Sequence, residues 1–466
     1  MRGRFIVALT AFAMLAAACG QWPGVHEAAM QQAAQQGQVP GETTGLSGPG
    51  GTTGTGGATG NTGTGTGAGA AGGGSGAGGG TTGGAGSGGG SPGGGGAAAG
   101  GDATGVTATT IKIGIHAPLT GAAPLKASSF EAGKDLYWEK GNNGRRVLIY
   151  GRRVLVEFRD DQYNPSHAKQ VCQEMVEREK VFLLIGGGGT DQIQACAQYA
   201  AGAGVPYISG GVTEVGLRNL WNYFAGSMSY PQQSRILASY IKKKLGVRNA
   251  SRVAMVATDT ANFDDAVQAF TQAFPGVQVF RPGKNERGSS MAQNLCTATQ
   301  RNYDAVFPLT APTYYLEMAK AAQCRPRYVG VGITMGLDTV ASTGCEGDQA
   351  TRGARFFSPA PAFQDSDRYD RGFRAAGGRD DIEWLLWGLS KSLHQLFVKA
   401  GKNLTREGFV QSTSRASVRS GVFPDIRYSP RDHFGALNFS VLENVCQRRG
   451  NQAGYYLTKQ AFVNSF

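Results

Sequence analysis

Histidine is scarce in this chain, and metal-ligand spacing is missing. Five histidines are scattered over 466 residues and no C-x-x-C pair occurs, which excludes the common zinc arrangements. The G-x-S-x-G match at Gly89–Gly93 falls in a glycine-rich low-complexity stretch with no apolar strand before it, so it is no nucleophile elbow, and there is no H-E-x-x-H pair and no lysine placed after a glycine-rich loop. The serine-hydrolase, zinc-protease and P-loop signatures are therefore missing, and neither an enzyme nor a cofactor is expected. Long apolar runs are lacking too: Phe5 to Ala18 spans about 14 residues, too short for a comfortable membrane span. A formal charge of +12 with a pI near 9.4 would suggest nucleic acid in a cytosolic protein, but no basic run interleaves with aromatics. Arg145-Arg146 and Arg152-Arg153 read as solvated surface suited to an acidic membrane or envelope.

What is present begins with an export signal. Arg2 and Arg4 precede the apolar segment, and Leu15-Ala16-Ala17-Ala18-Cys19 follows, the pattern of a secretory signal peptide over residues 1–18. Cysteine after small residues resembles the bacterial lipobox, although the leucine lies four residues before it rather than three. That resemblance implies a lipidated Cys19 as the mature N-terminus, anchored at the extracytoplasmic face of the cell membrane. An ordinary cleaved signal with an incidental cysteine is the alternative. Residues 40 to 106 are glycine, threonine, alanine and serine with hardly a charge or large apolar group. Such a composition cannot bury enough surface to offset chain entropy and reads as a disordered tether. As a Gly-rich coil of about 60 residues its r.m.s. reach is on the order of 45 Å.

From Ile111 the pattern alternates strand and helix. Strands are expected at Ile111–His116, Val154–Arg159, Val181–Ile185 and Val205–Ile208, with helices over Ser129–Lys140 and His167–Glu177. After Tyr230-Pro231 the rhythm restarts. Helices are expected over Gln233–Leu245, Asp264–Phe274, Ser290–Gln300 and Tyr314–Gln323. Between them fall strands Val253–Ala257, Val277–Phe280, Ala305–Leu309 and Tyr328–Val331. A long amphipathic helix covers Glu383–Lys399, and the tail from Phe434 is β-rich. Two βα series in one chain mean an α/β protein of two Rossmann-like lobes. Apart from Cys19 there are six cysteines, an even number in an exported chain, which implies disulfides; six allow fifteen pairings. Cys172 and Cys196 fall on helices flanking the Val181 strand, and Cys296 and Cys324 on helices flanking the Ala305 strand. Cys345 and Cys446 are left as the third pair.

The most informative stretch is Val181–Thr213. An apolar strand runs into four glycines, Gly186 to Gly189, and Thr190 and Asp191 are placed to cap the helix that follows. In open α/β sheets ligands bind at the carboxyl ends of strands, and glycines there free backbone N–H groups for an anion. The same glycines could simply serve a tight turn with positive φ. The next strand also ends in glycine and threonine, Ser209-Gly210-Gly211-Val212-Thr213, which suggests a small-molecule pocket. His116, at the end of the first strand, either enters that cleft or packs beside it.

The segments IKIGIHAPLTG, FRDDQYNPSHAKQVCQEMVEREKVFLLIGG, GVPYISGG and YDAVFPL together resemble the leucine/isoleucine/valine-binding family of type I periplasmic binding proteins, from about residue 108 onward. The resemblance implies two lobes joined by three crossovers, near Ser227–Pro231, Phe357–Ala362 and Arg427–His433. The expected organisation is a signal peptide (1–18), a lipoprotein N-terminus and tether (19–106), a first lobe (107–228 plus 360–428) and a second lobe (229–359 plus 429–466). The implied function is the substrate-binding component of an ABC importer, partnered by a permease and by the membrane through its lipid anchor. The ligand would be a branched-chain amino acid or another small carboxylate or amide. Ligand contacts fall on Thr190 with the Gly189 backbone, on Gly211 and Thr213, and on Asn262 or Phe263, of which the aromatic is favoured. Where amino-acid binders place an acidic residue for the ligand ammonium, this chain reads Gly330-Val331-Gly332-Ile333-Thr334, with Asp191 and Asp259 as possible substitutes. A ligand sensor or envelope-interaction protein of the same fold is the alternative.

Overall fold

The computed structural model describes residues 101–297 and 300–466. The signal peptide, Cys19 and the expected tether as far as residue 100 lie outside the described residues. Five strands form the first sheet: β1 (Thr110–Ala117), β2 (Arg153–Asp160), β3 (Leu183–Gly186), β4 (Tyr207–Ser209) and β5 (Tyr223–Ala225), all parallel in the order β2-β1-β3-β4-β5. The second sheet has seven: β6 (Val253–Ala257), β7 (Gln278–Phe280), β8 (Ala305–Leu309), β9 (Arg327–Val331), β10 (Arg355–Ser358), β11 (Phe439–Val445) and β12 (Tyr455–Val463). Its order is β12-β11-β10-β9-β8-β6-β7, with β11 and β12 antiparallel at one edge. The central strands β6 and β8 are buried at every position, as expected for parallel strands covered on both faces.

Polar side chains satisfy the free N–H groups at the start of only some of the helices. In the first sheet's series, α1 (Ala127–Lys134) and α2 (Leu136–Lys140) precede β2. They replace the single helix expected over Ser129–Lys140, because the chain breaks at Asp135 and turns Tyr137 and Trp138 into the core. Helix α3 (Pro165–Glu177) is capped by the Asn164 side chain, which accepts from the N–H groups of Ser166 and His167. Helix α4 (Thr190–Gly202) follows β3. Beyond β5, α5 (Tyr230–Lys243) opens with a reciprocal Ser229–Gln232 capping box. It is followed by α6 (Asp264–Ala273), α7 (Gly288–Leu295), α8 (Pro312–Ala321) and α9 (Asp338–Cys345). Helix α10 (Asp381–Ala400), with Trp384 and Trp387 buried, returns to pack on α1 and α2 of the first sheet's layer.

The chain passes between the sheets three times. It leaves the first sheet after Ala225, leaves the second after Ser358, and returns to the second between His433 and Phe439. Residues 428–433 still belong to the first sheet's edge: Ala225 N–H donates to His433 O (3.0 Å) and the Tyr428 hydroxyl to Ala225 O (2.8 Å). Three disulfides join Cys172 to Cys196, Cys296 to Cys324 and Cys345 to Cys446. The middle pair does not sit on helices as expected. Helix α7 stops at Leu295, so Cys296 is extended, and Cys324 lies beyond α8. The folded chain also begins upstream of the expected boundary at Thr107. Buried Arg406 donates to Asp102 Oδ2 (2.6 Å) and to the carbonyls of Val181 and Phe182, which ties the entering segment to β3.

Candidate ligand-binding cleft

The carboxyl ends of β3 and β4 face the second sheet across a cleft that encloses about 420 Å³ of space, part of it open to solvent. On the first sheet's side it is lined by Gly187, Gly188, Gly189 and Ile193 of the β3–α4 turn and by Gly210, Gly211 and Val212 after β4. Opposite stand Gly332, Ile333 and Thr334 after β9, with Phe357 and Pro359 at the end of β10. Ser227, Tyr230 and Gln233 from the first crossover complete the lining. Three of these glycines are obligatory on geometry, Gly332 through its φ of +110°. Gly188 has φ +101°, and a Cβ there would stand 2.3 Å from Pro118 Cδ. A Cβ on Gly211 would lie 2.2 Å from the Ser227 carbonyl oxygen. Gly187 is different: a Cβ there meets nothing within 4 Å, so its surface is the open floor of the cleft.

Helix α4 begins at this floor without a cap. Thr190 and Asp191 were the expected caps, but Gly189 occupies the N-cap position in extended conformation and no side chain satisfies the first turn. Both side chains are engaged elsewhere. The Thr190 hydroxyl bonds the Tyr230 phenol. Asp191 reaches across to the second lobe, accepting from Asn262 Nδ2 (2.6 Å) and Lys284 Nζ (2.6 Å). The N-cap Gly189 lines the cleft, which brings the positive end of the helix dipole to its floor. Burial pushes the Tyr230 phenol up to about 12, so it is a neutral hydrogen-bonding group at physiological pH.

The remaining expected residues divide into lining and rim. Gly189 and Gly211 line the cleft. Thr213 is fully buried, donates to Asp265 Oδ2 (3.0 Å) and is not part of the lining. The same oxygen accepts from the Glu214 N–H (2.6 Å), so Asp265 clasps the β4 turn from α6. Phe263 packs edge-on against Tyr230, with ring centroids 6.1 Å apart, and supports the lining from behind. Asp259 pairs with Arg281 (3.2 Å) and Asp191 with Lys284, so neither candidate ammonium partner points into the cleft. His116 does not enter it either. The ring is fully buried beneath Gly186, with Nδ1 on Asp161 (2.8 Å) and Nε2 on the Tyr207 hydroxyl (2.7 Å). His116, Cys172 and Cys196 lie close enough together to suggest a metal site, but the cysteines are bonded to each other and both imidazole nitrogens are occupied.

Sequence reading missed Tyr230, Gln233, Ile333, Phe357 and Pro359 as lining residues. The available signal was the placement of crossovers at Ser227–Pro231 and Phe357–Ala362, since a chain passing between two lobes necessarily borders the space between them.

Residues 110–446 match the family model described as periplasmic binding protein. Among curated relatives, the Leu/Ile/Val-binding protein homolog 6 of Brucella abortus (strain 2308) is 26% identical over 174 residues, 37% of this chain and 43% of that protein. The chain thus matches less than half the length of that relative. A leucine-binding protein from Thermotoga maritima MSB8 superposes with a TM-score of 0.59 at 17% identity, covering 76% of this chain and 99% of that one. An ABC-transporter solute-binding protein from Rhodopseudomonas palustris, in complex with 4-hydroxybenzoate, gives 0.60 at 18% identity over 76% and 96%. The chain belongs to the periplasmic binding protein family, with the two-lobed α/β fold of its type I, leucine/isoleucine/valine-binding members.

Proposed function

We propose that this protein is the extracytoplasmic substrate-binding lipoprotein of an ABC importer, anchored through Cys19 and holding a small anionic ligand between its lobes. One observation carries the reading: the uncapped N-terminus of α4 opens into an interlobe cleft whose floor is backbone rather than side chain. Three disulfides fit an oxidising, extracytoplasmic compartment. The lobes correspond to residues 101–228 plus 360–433 and 229–359 plus 434–466, with a permease as the partner that receives the ligand. Gly189 and Gly211 contribute backbone to the site, while Thr190, Thr213 and Phe263 act through Tyr230 and the Asp265 clasp. Retention of the protein in the membrane fraction, lost in Cys19→Ser, checks the anchor.

The cleft is tested with a panel of small carboxylates screened by thermal shift and followed by calorimetry. Gly187→Asp sets a competing negative charge at the helix N-terminus, in open space and without positive φ. Hydrogen bonds to charged groups contribute about 1.5–3 kcal/mol, so affinity for the ligand should fall roughly ten- to a hundredfold while the fold holds. Unchanged affinity in a folded Gly187→Asp protein places the anion elsewhere.

A further inference from the structure

The two ends of the cleft differ in charge chemistry, and that difference selects a ligand class. Resting on the cleft reading above, we infer that the ligand is a small monocarboxylate with an uncharged, largely apolar body and no α-ammonium group. The carboxylate is matched by the positive end of α4. A zwitterionic amino acid would bring its ammonium one carbon away, into the same space. Among the described residues that line this space there is no Asp or Glu, and the body-facing surfaces are Ile193, Val212, Ile333, Phe357 and Pro359. The neutral polar side chains are Ser227, Tyr230, Gln233 and Thr334. Of these, Ser227 Oγ already accepts from Gly211 N–H (2.7 Å), and Gln233 Nε2 donates to Met228 O (2.7 Å). A buried ammonium is costly without a counter-charge, whereas an apolar body is favoured by the same walls.

The carboxylates nearest the cleft hold other partners, although Asp265 Oδ1, buried and outside the cleft lining, is left without one. Asp191 is held by Lys284 and Asn262, Asp265 by Thr213 and the Glu214 N–H, and Glu214 by Arg218 (2.5 Å) and the Ser229 hydroxyl (2.5 Å). Beneath the floor Asp161 is taken by His116. A neighbouring space behind Ile333 is bordered by Asp338 and Asp381, which face each other across the second crossover. They do not serve an α-ammonium either. Asp338 accepts from Tyr456 N–H (2.8 Å) and Gln364 Nε2 (3.1 Å), while Asp381 accepts from Asp338 N–H (2.6 Å) and Ile382 N–H (3.0 Å). Burial, followed for Asp381 by the neighbouring Asp338 carboxylate, pushes both carboxyls well above the usual carboxylate range. Ile333 borders both spaces and stands between them.

Matched pairs that differ only at the amino group test this. Calorimetry on the exported protein compares 4-methylpentanoate with leucine, and 3-phenylpropanoate with phenylalanine. The deaminated acid should bind at least tenfold more tightly in at least one pair. Thr334→Asp, at a half-buried position on the second wall, installs the missing counter-charge and should narrow or reverse that preference. Leucine and phenylalanine each binding at least as tightly as its acid overturns the inference. If Gly187→Asp abolishes that amino-acid binding, the cleft reading survives; if it does not, both fall. Binding of neither acid, alongside Gly187→Asp-sensitive binding of another panel anion, rejects the apolar monocarboxylate and leaves the cleft reading in place.

Discussion

The two walls of the cleft are built from different materials. The first lobe's wall is mostly backbone: five of its seven lining residues are glycines, at positions 187, 188, 189, 210 and 211, and its polarity comes from a helix end. The second lobe's wall presents side chains, chiefly Ile333, Phe357 and Pro359, and its apolar surface approaches the first wall closely. A Cβ added at Gly210 would come within 2.7 Å of Ile333 Cδ1. A wall of peptide N–H groups recognises charge with little dependence on side-chain rotamers, while a wall of branched and aromatic groups recognises volume and shape. On the proposed reading, charge selection and shape selection fall to opposite lobes.

Substitutions on each wall should separate the two roles. The largest effect is expected at Gly188, where the left-handed backbone costs an L-residue about 1–2 kcal/mol and crowding against Pro118 about 1–3 more. Urea unfolding of Gly188→Ala should show a loss of about 2–5 kcal/mol. A loss under about 0.5 kcal/mol would mean the turn can reshape and the first wall is not rigid. Next comes Ile333→Ala on the second wall. Removing roughly three methyl or methylene groups from a half-buried side chain should weaken binding by about 1–2 kcal/mol, five- to thirtyfold, with little change in unfolding midpoint. An equal loss for carboxylates and for their neutral amides is the result that assigns this wall to shape. Thr190→Val should have the smallest effect. Its hydroxyl holds Tyr230 rather than the cleft, so affinity should fall about three- to tenfold through a displaced phenol, and calorimetry on Thr190→Val and Tyr230→Phe should give similar losses. A much larger loss in Thr190→Val would return Thr190 to direct ligand contact.

The contrast between the walls also explains what could be read in advance. The glycine turn, the strand ends and the Cys172–Cys196 pair depend on local pattern and on which helices flank which strand, so they were accessible from residue order; Cys296–Cys324 forms although neither cysteine lies on a helix, and Cys345–Cys446 followed only as the remaining pair. The destinations of Thr190, Asp191 and Thr213 were not. Each reaches a partner from the other lobe or the first crossover (Tyr230, Lys284 with Asn262, and Asp265), and nothing local distinguishes a cap from such a contact. For the same reason the second wall stayed hidden: Ile333 and Phe357 follow strands whose apolar character reads as core, and only the approach of the two sheets turns them toward a ligand. His116 shows the converse, a polar residue at a strand end that is consumed in a buried chain with Asp161 and Tyr207.

A ligand-bound crystal structure tests the account most directly. With the tightest-binding panel carboxylate, the predicted result is both carboxylate oxygens within about 2.7–3.1 Å of backbone N–H groups in the first turn of α4, and the body against Ile333 and Phe357. A carboxylate seated on the second wall or outside the cleft, with the α4 N-terminus facing only solvent, would contradict it.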